Sequence, residues 1–275
     1  MPDGDFHHAT LGRTGRSILR LGVGSSFGVG GRDLEMAVEE YGLGYLYWGS
    51  LRKDGFADAI RALNTRGLRD RLFVVVQSYS RLGSLVRPSL TRALKRLGIE
   101  QADMLLLGWW NKEVSSRIVK AALKCQERGL TRHIGVSTHK RPLVPGFVGS
   151  SPFDVVHFRY NAANRGAEQE IFPQVAGGPE ERAGLVAFTA TRWGQLLSPP
   201  GDGLAHPTAG DCYRFVLSRP EVDLCLSGPA DGAQLRAALD AVAQGPMDPE
   251  QLAWMQQVGE RVYNQTRRTR LAERF

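Results

Sequence analysis

Four residues in one stretch have the types and spacing for chemistry. In Gly42-Leu-Gly-Tyr-Leu-Tyr-Trp-Gly-Ser-Leu-Arg-Lys-Asp54, two aromatics, Tyr47 and Trp48, are followed by two cations, Arg52 and Lys53. A phenol can protonate a developing oxyanion, and a nearby cation stabilises phenolate and so lowers its pKa. The same cations could instead bind an anionic substrate. Tyr79 is a second phenol, and His139 and His157 supply imidazoles at or just past the ends of other apolar runs. Packing is the competing reading for Tyr45 and Tyr47, which share one face of a short strand. A one-residue slip there would exchange Tyr47 for Trp48.

The elements that must position these groups alternate between apolar strands and amphipathic helices. Strands are expected at Leu19 to Gly24, Tyr45 to Trp48, Leu72 to Ser78, Asp103 to Trp109, His133 to Thr138, Asp154 to Tyr160, Gly184 to Ala190 and Val222 to Ser227. Phe73-Val-Val-Val76 is apolar throughout, as a strand covered on both faces should be. Helices are expected at Leu34 to Tyr41, Gly55 to Leu63 (capped by Asp54), Pro88 to Leu97, Ser115 to Arg128, Ala167 to Val175, Ala209 to Ser218, Asp231 to Ala243 and Asp248 to Val262. Eight such units in 275 residues predict a parallel (β/α)₈ barrel, with residues 1–275 as one domain. A doubly wound open sheet is the alternative, but Gly22-Val-Gly-Ser-Ser-Phe-Gly28 is spaced GxGxxxG rather than GxGxxG.

The chain is 42% hydrophobic, and no apolar run is long enough to span a membrane. The first eight residues lack a secretory pattern, and the three cysteines, Cys125, Cys212 and Cys225, lack metal-like spacing. Reduced thiols in a cytoplasmic protein are expected. No His, Asp or Glu cluster suggests a metal. The net charge of +7 comes from scattered cations without a nucleic-acid motif, and an anionic cofactor is an equally good partner for it. The one dense run, Arg267 to Arg274, reads as a solvated tail. Trp48, Trp109, Trp110 and Trp193, all at strand ends or the loops after them, are candidates for a pocket around a flat or apolar small molecule, with Tyr79 beside them.

Several segments in order resemble the aldo-keto reductase family over nearly the whole chain. Leu11-Gly-Arg-Thr-Gly-Arg-Ser-Ile-Leu-Arg-Leu-Gly-Val-Gly24 is similar to that family's N-terminal hairpin and first strand. Gly129-Leu-Thr-Arg-His-Ile-Gly-Val-Ser137 resembles its entry to strand five, Arg159-Tyr-Asn161 the end of strand six, and Gly184-Leu-Val-Ala-Phe-Thr-Ala190 strand seven. Ser227-Gly-Pro-Ala-Asp-Gly-Ala-Gln-Leu235 resembles the element after strand eight. The resemblance implies a barrel plugged by a hairpin, NADP(H) across its top, and reversible hydride transfer to an aldehyde or ketone. It implies cofactor contacts for Ser137 and for Thr138, which replaces an asparagine. It implies the same for His157, which replaces a glutamine, and for Tyr160 under the nicotinamide. Arg192 and Trp193 would lie at the pyrophosphate, Gly228 and Gln234 after strand eight, and Arg236 at the 2′-phosphate.

The four positions that carry catalysis in that family have all changed here. Tyr47 aligns with the aspartate, Arg52 with the tyrosine, Gln77 with the lysine and Gly108 with the histidine. Arg52 is too weak an acid to donate a proton. A replacement set would draw on Tyr47 as acid with Arg52, Gln77 and His139 around it. Three functions remain open: a carbonyl reductase with a relocated acid, a non-redox enzyme on the same barrel, and a silent nucleotide-binding or regulatory protein.

Overall fold

The protein is described by a computed structural model covering residues 5–49, 51–149, 152–175, 177–199 and 205–272; at 179 and 267–272 it describes the backbone alone. A short antiparallel hairpin comes first, β1 (His8–Thr10) on β2 (Ser17–Leu19). Eight parallel strands follow: β3 (Leu21–Gly24), β4 (Tyr45–Trp48), β5 (Phe73–Ser78), β6 (Ala102–Leu107), β7 (Thr131–Thr138), β8 (Val155–Arg159), β9 (Gly184–Phe188) and β10 (Leu224–Ser227). They close in sequence order, with β10 back on β3, so the barrel has no free edge.

The helices between them are α1 (Gly31–Glu40), α2 (Asp54–Thr65), α3 (Gly83–Leu97), α4 (Ser116–Glu127), α5 (Val144–Gly149), α6 (Ala167–Glu170), α7 (Ala209–Leu217) and α8 (Gly232–Val242). A further helix, α9 (Pro249–Ala272), follows the last unit. This is the expected (β/α)₈ barrel with hairpin plug and extra C-terminal helix. The side chains of the C-terminal basic run lie outside the described residues.

Several details differ from the sequence reading: α5 was not expected, α6 is shorter and α9 longer, and the starts of α3 and α2 have particular causes. Helix α3 starts five residues before Pro88, so the proline sits inside it. Pro88 cannot donate to Ser84, one lost bond that the packing of Val86, Leu90, Ala93, Leu94 and Leu97 outweighs. Asp54 does not cap α2. Lys53 is the N-cap residue without a side-chain bond, and Asp54 is the first helical residue, paired with Arg96 of α3.

Strand alternation sorts the side chains into two cores. Tyr45, Phe73, Val75, Met104, Leu106, Val155, Val186 and Leu224 fill the barrel, and Leu11 and Ile18 of the hairpin region join them. Leu46, Trp48, Val74, Val76, Leu105 and Leu107 point outward into the helix layer. The pairing of Tyr45 with Phe73 and Tyr47 with Val75 continues this register upward. Tyr47 therefore points into the barrel above Tyr45, and Trp48 points out. At the start of β9 and β10, Arg182 forms a buried two-pronged pair with Asp223, both bonds 2.8 Å, and Asp223 also accepts from the Leu185 N–H.

The three cysteines are buried and unbridged. Burial raises all three thiol pKa values, Cys212 to about 12, so they stay protonated and inert at neutral pH.

Candidate active site at the barrel mouth

The upper barrel holds a connected group of polar side chains. The Tyr47 hydroxyl donates to Gln77 Oε1 and is also hydrogen-bonded to the Tyr79 hydroxyl. Arg52 approaches from the β4–α2 loop. Its Nε donates to the Gly49 carbonyl at 3.0 Å and its Nη2 to the Gln77 carbonyl at 2.9 Å. Below Tyr47 lies His157, ring centroids 5.7 Å apart, and His157 Nε2 is hydrogen-bonded to the Tyr45 hydroxyl at 2.7 Å.

The electrostatics reverse one expectation. Tyr47 was expected to have a lowered pKa from the cations beside it. Its pKa is raised instead, by burial first and by Tyr79 next, with Arg52 acting weakly in the opposite direction. Arg52 is spread between two backbone carbonyls, and its own pKa falls through burial. Tyr47 is therefore a phenol that keeps its proton. Burial also lowers the His157 pKa to about 3, so that ring is neutral.

Gly108 shows why the expected histidine is missing. An added Cβ there would run into the Gln77 amide and come within 2.9 Å of the Tyr79 ring. The volume above β6 is occupied by side chains from β5 and the loop after it. Gly108→Ala should push Gln77 off the Tyr47 hydroxyl and destabilise the fold by about 1–3 kcal/mol, the usual cost of overpacking. Urea unfolding checks this; an unchanged midpoint would show that the space above β6 is not filled as described.

The structure distributes the other expected site residues differently. Trp48 is buried against Phe56 in the helix layer, and Trp110 is buried under Arg81, whose guanidinium lies 4.3 Å from the ring centroid. Neither lines the two cavities that flank the Tyr47 group, because outward strand register buries one and the turn after β6 folds the other inward to the helices. Trp109 is exposed, with φ of 58°, and meets the edge of His139, which in turn packs edge-on against Phe188. His139 is thus at the mouth but apart from Tyr47 and its bonded partners; its pKa is lowered by burial and by Arg159.

Ser137 and Thr138 each bond a neighbouring loop. Ser137 Oγ accepts from the Trp109 N–H at 2.9 Å, and Thr138 Oγ1 accepts from the Lys140 N–H at 3.0 Å. Tyr160 is fully buried among Phe158, Phe172 and Phe215, its hydroxyl donating to Glu168 at 2.8 Å, so it cannot lie under a ring bound in the barrel mouth. His157 is sealed inside the barrel. None of these four lines the large cleft beside Tyr47, because strand register and loop turns aim them elsewhere.

A cleft of 870 Å³ opens beside this group. Its inner end is Tyr47, Gly24 and Leu226; its walls are the loop after β9, the start of α7 and one face of α8. Trp193, Gly228 and Gln234 line it. Phe27, Phe188, Tyr213 and the small residues Ala209, Gly210, Ala237, Ala238 and Ala241 line it too, and the sequence reading missed them. The only available signal was the run of alanines on α8, which reads equally well as helix propensity.

The loop after β9 carries backbone strain. Thr189, Arg192 and Trp193 have φ of 60°, 51° and 52°, a conformation that costs non-glycine residues about 1–3 kcal/mol each. Asn161 fastens this loop, its Nδ2 donating to the Thr189 carbonyl at 2.9 Å. That gives the Tyr160-Asn161 pair its structural meaning: the tyrosine anchors outward and the asparagine holds the strained turn.

The cleft fits the neutral parts of a dinucleotide. It is large and mostly apolar, and its small residues leave a flat floor. Phe27 lies directly over Gly228, where a Cβ would overlap its ring. For phosphates the described walls offer hydroxyls and amides from Ser26, Thr189, Thr191, Thr208, Gln234 and Gln244, but no charged side chain. Arg236 lies outside the walls, 3.4 Å from Asp33, and Asp33 packs against Gly232 at the start of α8. Among the described residues no group of His, Cys, Asp or Glu could hold a metal, and no helix is long and apolar enough to cross a membrane.

Comparison with known proteins agrees with this architecture. Residues 60–194 match the model of the Aldo/keto reductase family. The holo form of the aldo-keto reductase AKR11C1 from Bacillus halodurans superposes with a TM-score of 0.73 at 18% identity, covering 91% of this chain and 95% of that one. Its apo form gives a TM-score of 0.72 at 19% identity with the same coverage. No curated protein matches the chain by sequence.

Proposed function

We propose, for a chain that belongs to the aldo/keto reductase family through residues 60–194, an NADP(H)-dependent oxidoreductase that interconverts a carbonyl and an alcohol with a rebuilt proton donor. Family and fold support an oxidoreductase. We take residues 1–275 as one catalytic unit acting in the cytoplasm on a small molecule. The observation that carries the reading is the position of Tyr47. It is a protonated phenol at the inner end of a dinucleotide-sized cleft, on the barrel axis where strand ends converge.

Bound nicotinamide would supply or accept the hydride. The chain's own residues do the rest. Phe27 and Trp193 offer aromatic faces to flat rings, Gly228 and Gln234 the polar contacts past β10, and Thr189 and Thr191 hydroxyls to the phosphates. Tyr47 presents an O–H to the carbonyl oxygen and releases the proton as negative charge builds there. The alkoxide formed as hydride arrives is a stronger base than a phenolate, so a phenol that keeps its proton at neutral pH can still give it up at that moment. Arg52 stabilises the phenolate left behind, and Tyr79, half exposed, connects Tyr47 to solvent for reprotonation. Because Tyr47 stays protonated, kcat/KM for reduction should show no basic limb from this group between pH 6 and 9.

Arg236 gives a test of the cofactor assignment. Its pair with Asp33 is exposed and therefore weak. Arg236→Ala should raise the Kd for NADPH about tenfold and leave NADH unchanged, as expected for losing one charge-assisted phosphate contact. Asp33→Asn should tighten NADPH selectively. Nicotinamide fluorescence titration measures both, and equal effects on the two dinucleotides would remove Arg236 from the cofactor site.

Binding without turnover is the second reading. It is favoured by the Tyr47 hydroxyl donating to Gln77, because that bond must break before the phenol can serve a substrate. Titration with NADPH followed by a broad panel of aldehydes and ketones separates the two. Absence of NADPH binding sinks the reductase; binding without oxidation of NADPH by any carbonyl favours the silent barrel.

A further inference from the structure

A second cavity lies on the other side of the Tyr47–Gln77–Tyr79 group. It has a volume of 460 Å³, and its polar lining is Arg52, Gln77, Tyr79, Ser80, Ser89 and Arg92, with Leu85 and Pro88 as an apolar side. Gln77 and Tyr79 each bond the Tyr47 hydroxyl, so this cavity begins one hydrogen bond from the proposed proton donor. The large cleft ends at Tyr47 from the opposite direction. The phenols thus stand between an uncharged cleft and a cationic pocket.

We infer that this pocket anchors an oxyanion, a carboxylate or phosphate monoester, on the substrate whose carbonyl end meets Tyr47. Two arginines from different elements point the same way, Arg52 from the β4–α2 loop and Arg92 from α3. Neither is in an ion pair with any described acid, whereas Arg96 of the same helix α3 pairs with Asp54 and Arg61 of α2 with Asp58. Arg52 is held in place by the Gly49 and Gln77 carbonyls and lies over the Trp48 ring, centroid distance 5.8 Å. Those contacts fix its direction without cancelling its charge.

Helix α3 adds an independent argument. Its fifteen residues contain Arg87, Arg92, Lys95 and Arg96 and no acid. The acid at the start of α2, Asp54, is taken up by Arg96. The wall of the pocket is therefore a source of uncompensated positive potential, which concentrates anions. A guanidinium fork matches both carboxylate and phosphate geometry, and the Ser80 and Ser89 hydroxyls and Tyr79 phenol supply further polar contacts. Leu85 and Pro88 suit the carbon segment joining the anion to the carbonyl.

The inference rests on the reductase reading for its substrate but not for its binding site, and the experiment keeps them apart. Inorganic phosphate and benzoate are titrated calorimetrically into wild-type protein, Arg92→Ala and Arg87→Ala at matched ionic strength. Arg87 is on the same helix but does not line the pocket. Saturable binding of either anion that weakens about tenfold in R92A and is unchanged in R87A supports the site, and the anion that binds identifies the group. Absence of saturable binding of both, or equal affinity in R92A and wild type, overturns it. Kinetics with 3-formylbenzoate and its methyl ester give the second readout. R92A should raise KM for the acid about tenfold, with kcat unchanged and the ester unaffected; equal changes for acid and ester overturn anchoring. Arg92-dependent anion binding with neither aldehyde reduced would keep the site and remove the reductase.

Discussion

Replacing Tyr47 by phenylalanine is expected to lower kcat/KM for carbonyl reduction by about 10²–10⁴-fold, the usual loss when a positioned general acid is removed. The effect should fall on kcat. The ring stays, so the inner end of the cleft keeps its shape, and the Kd for NADPH should change by less than about threefold. The hydroxyl's loss leaves Gln77 Oε1 without its donor in a buried place, which costs about 1–3 kcal/mol of stability. Urea unfolding of the variant separates that loss from the chemical one. Full reductase activity in a folded Tyr47→Phe protein would eliminate Tyr47 as donor and shift attention to Tyr79, the other phenol at the mouth.

The reason to expect so large an effect is that Tyr47 is the member of the bonded set that lines the large cleft, while Tyr79, the other phenol, lines the cavity on its far side. Gln77 has no acidic proton to give, Arg52 is too weak an acid, and His157 is neutral and bonded to Tyr45 beneath. In the family that this chain resembles, a lysine and an aspartate lower the donor's pKa. Here burial raises it. The relocated phenol would act by keeping its proton until the substrate oxygen has become the stronger base, a different balance from a donor already poised near neutrality.

The barrel was legible because its signals are redundant. Eight apolar runs at regular spacing, each bounded by turn residues, fix the order of strands even where single boundaries slip, as at β3 and α3. The aim of Tyr47 was open between two orientations, because a one-residue slip would have exchanged it for Trp48; the pairing of Tyr47 with Val75 turns it inward. The cleft was less legible. Its floor is made by Ala237, Ala238 and Ala241, residues with no chemical signature, and its edge by Phe27, whose place over Gly228 depends on a loop path that no periodicity encodes. Tyr160 misled for a related reason: a residue just past a strand end can turn either way, and here the phenol found Glu168 and an aromatic cluster outside the barrel. The pKa of Tyr47 was misjudged because sequence shows the cations nearby but not the burial that outweighs them.

His157 leads to the second large expected effect, a loss of stability in acid. Its folded pKa is about 3 and its ordinary value 6.5, with burial as the cause. The unfolded chain therefore binds a proton between pH 6.5 and 3 that the folded chain refuses. Stability is complete above pH 6.5 and falls as pH drops through that window, by about 1.4 kcal/mol per pH unit at the steepest. Over the whole interval the group contributes a loss of about 5 kcal/mol. His157→Gln provides the comparison, because an amide can still meet the Tyr45 hydroxyl and does not titrate. Urea midpoints of both proteins at pH 7.5, 6 and 5 should diverge steadily below pH 6.5, the wild type losing more. Parallel pH dependence in the two would mean that His157 takes up a proton in the folded barrel. In that case a cation would stand beneath Tyr47, and the phenol above it would be a stronger acid in mildly acidic solution than at neutral pH.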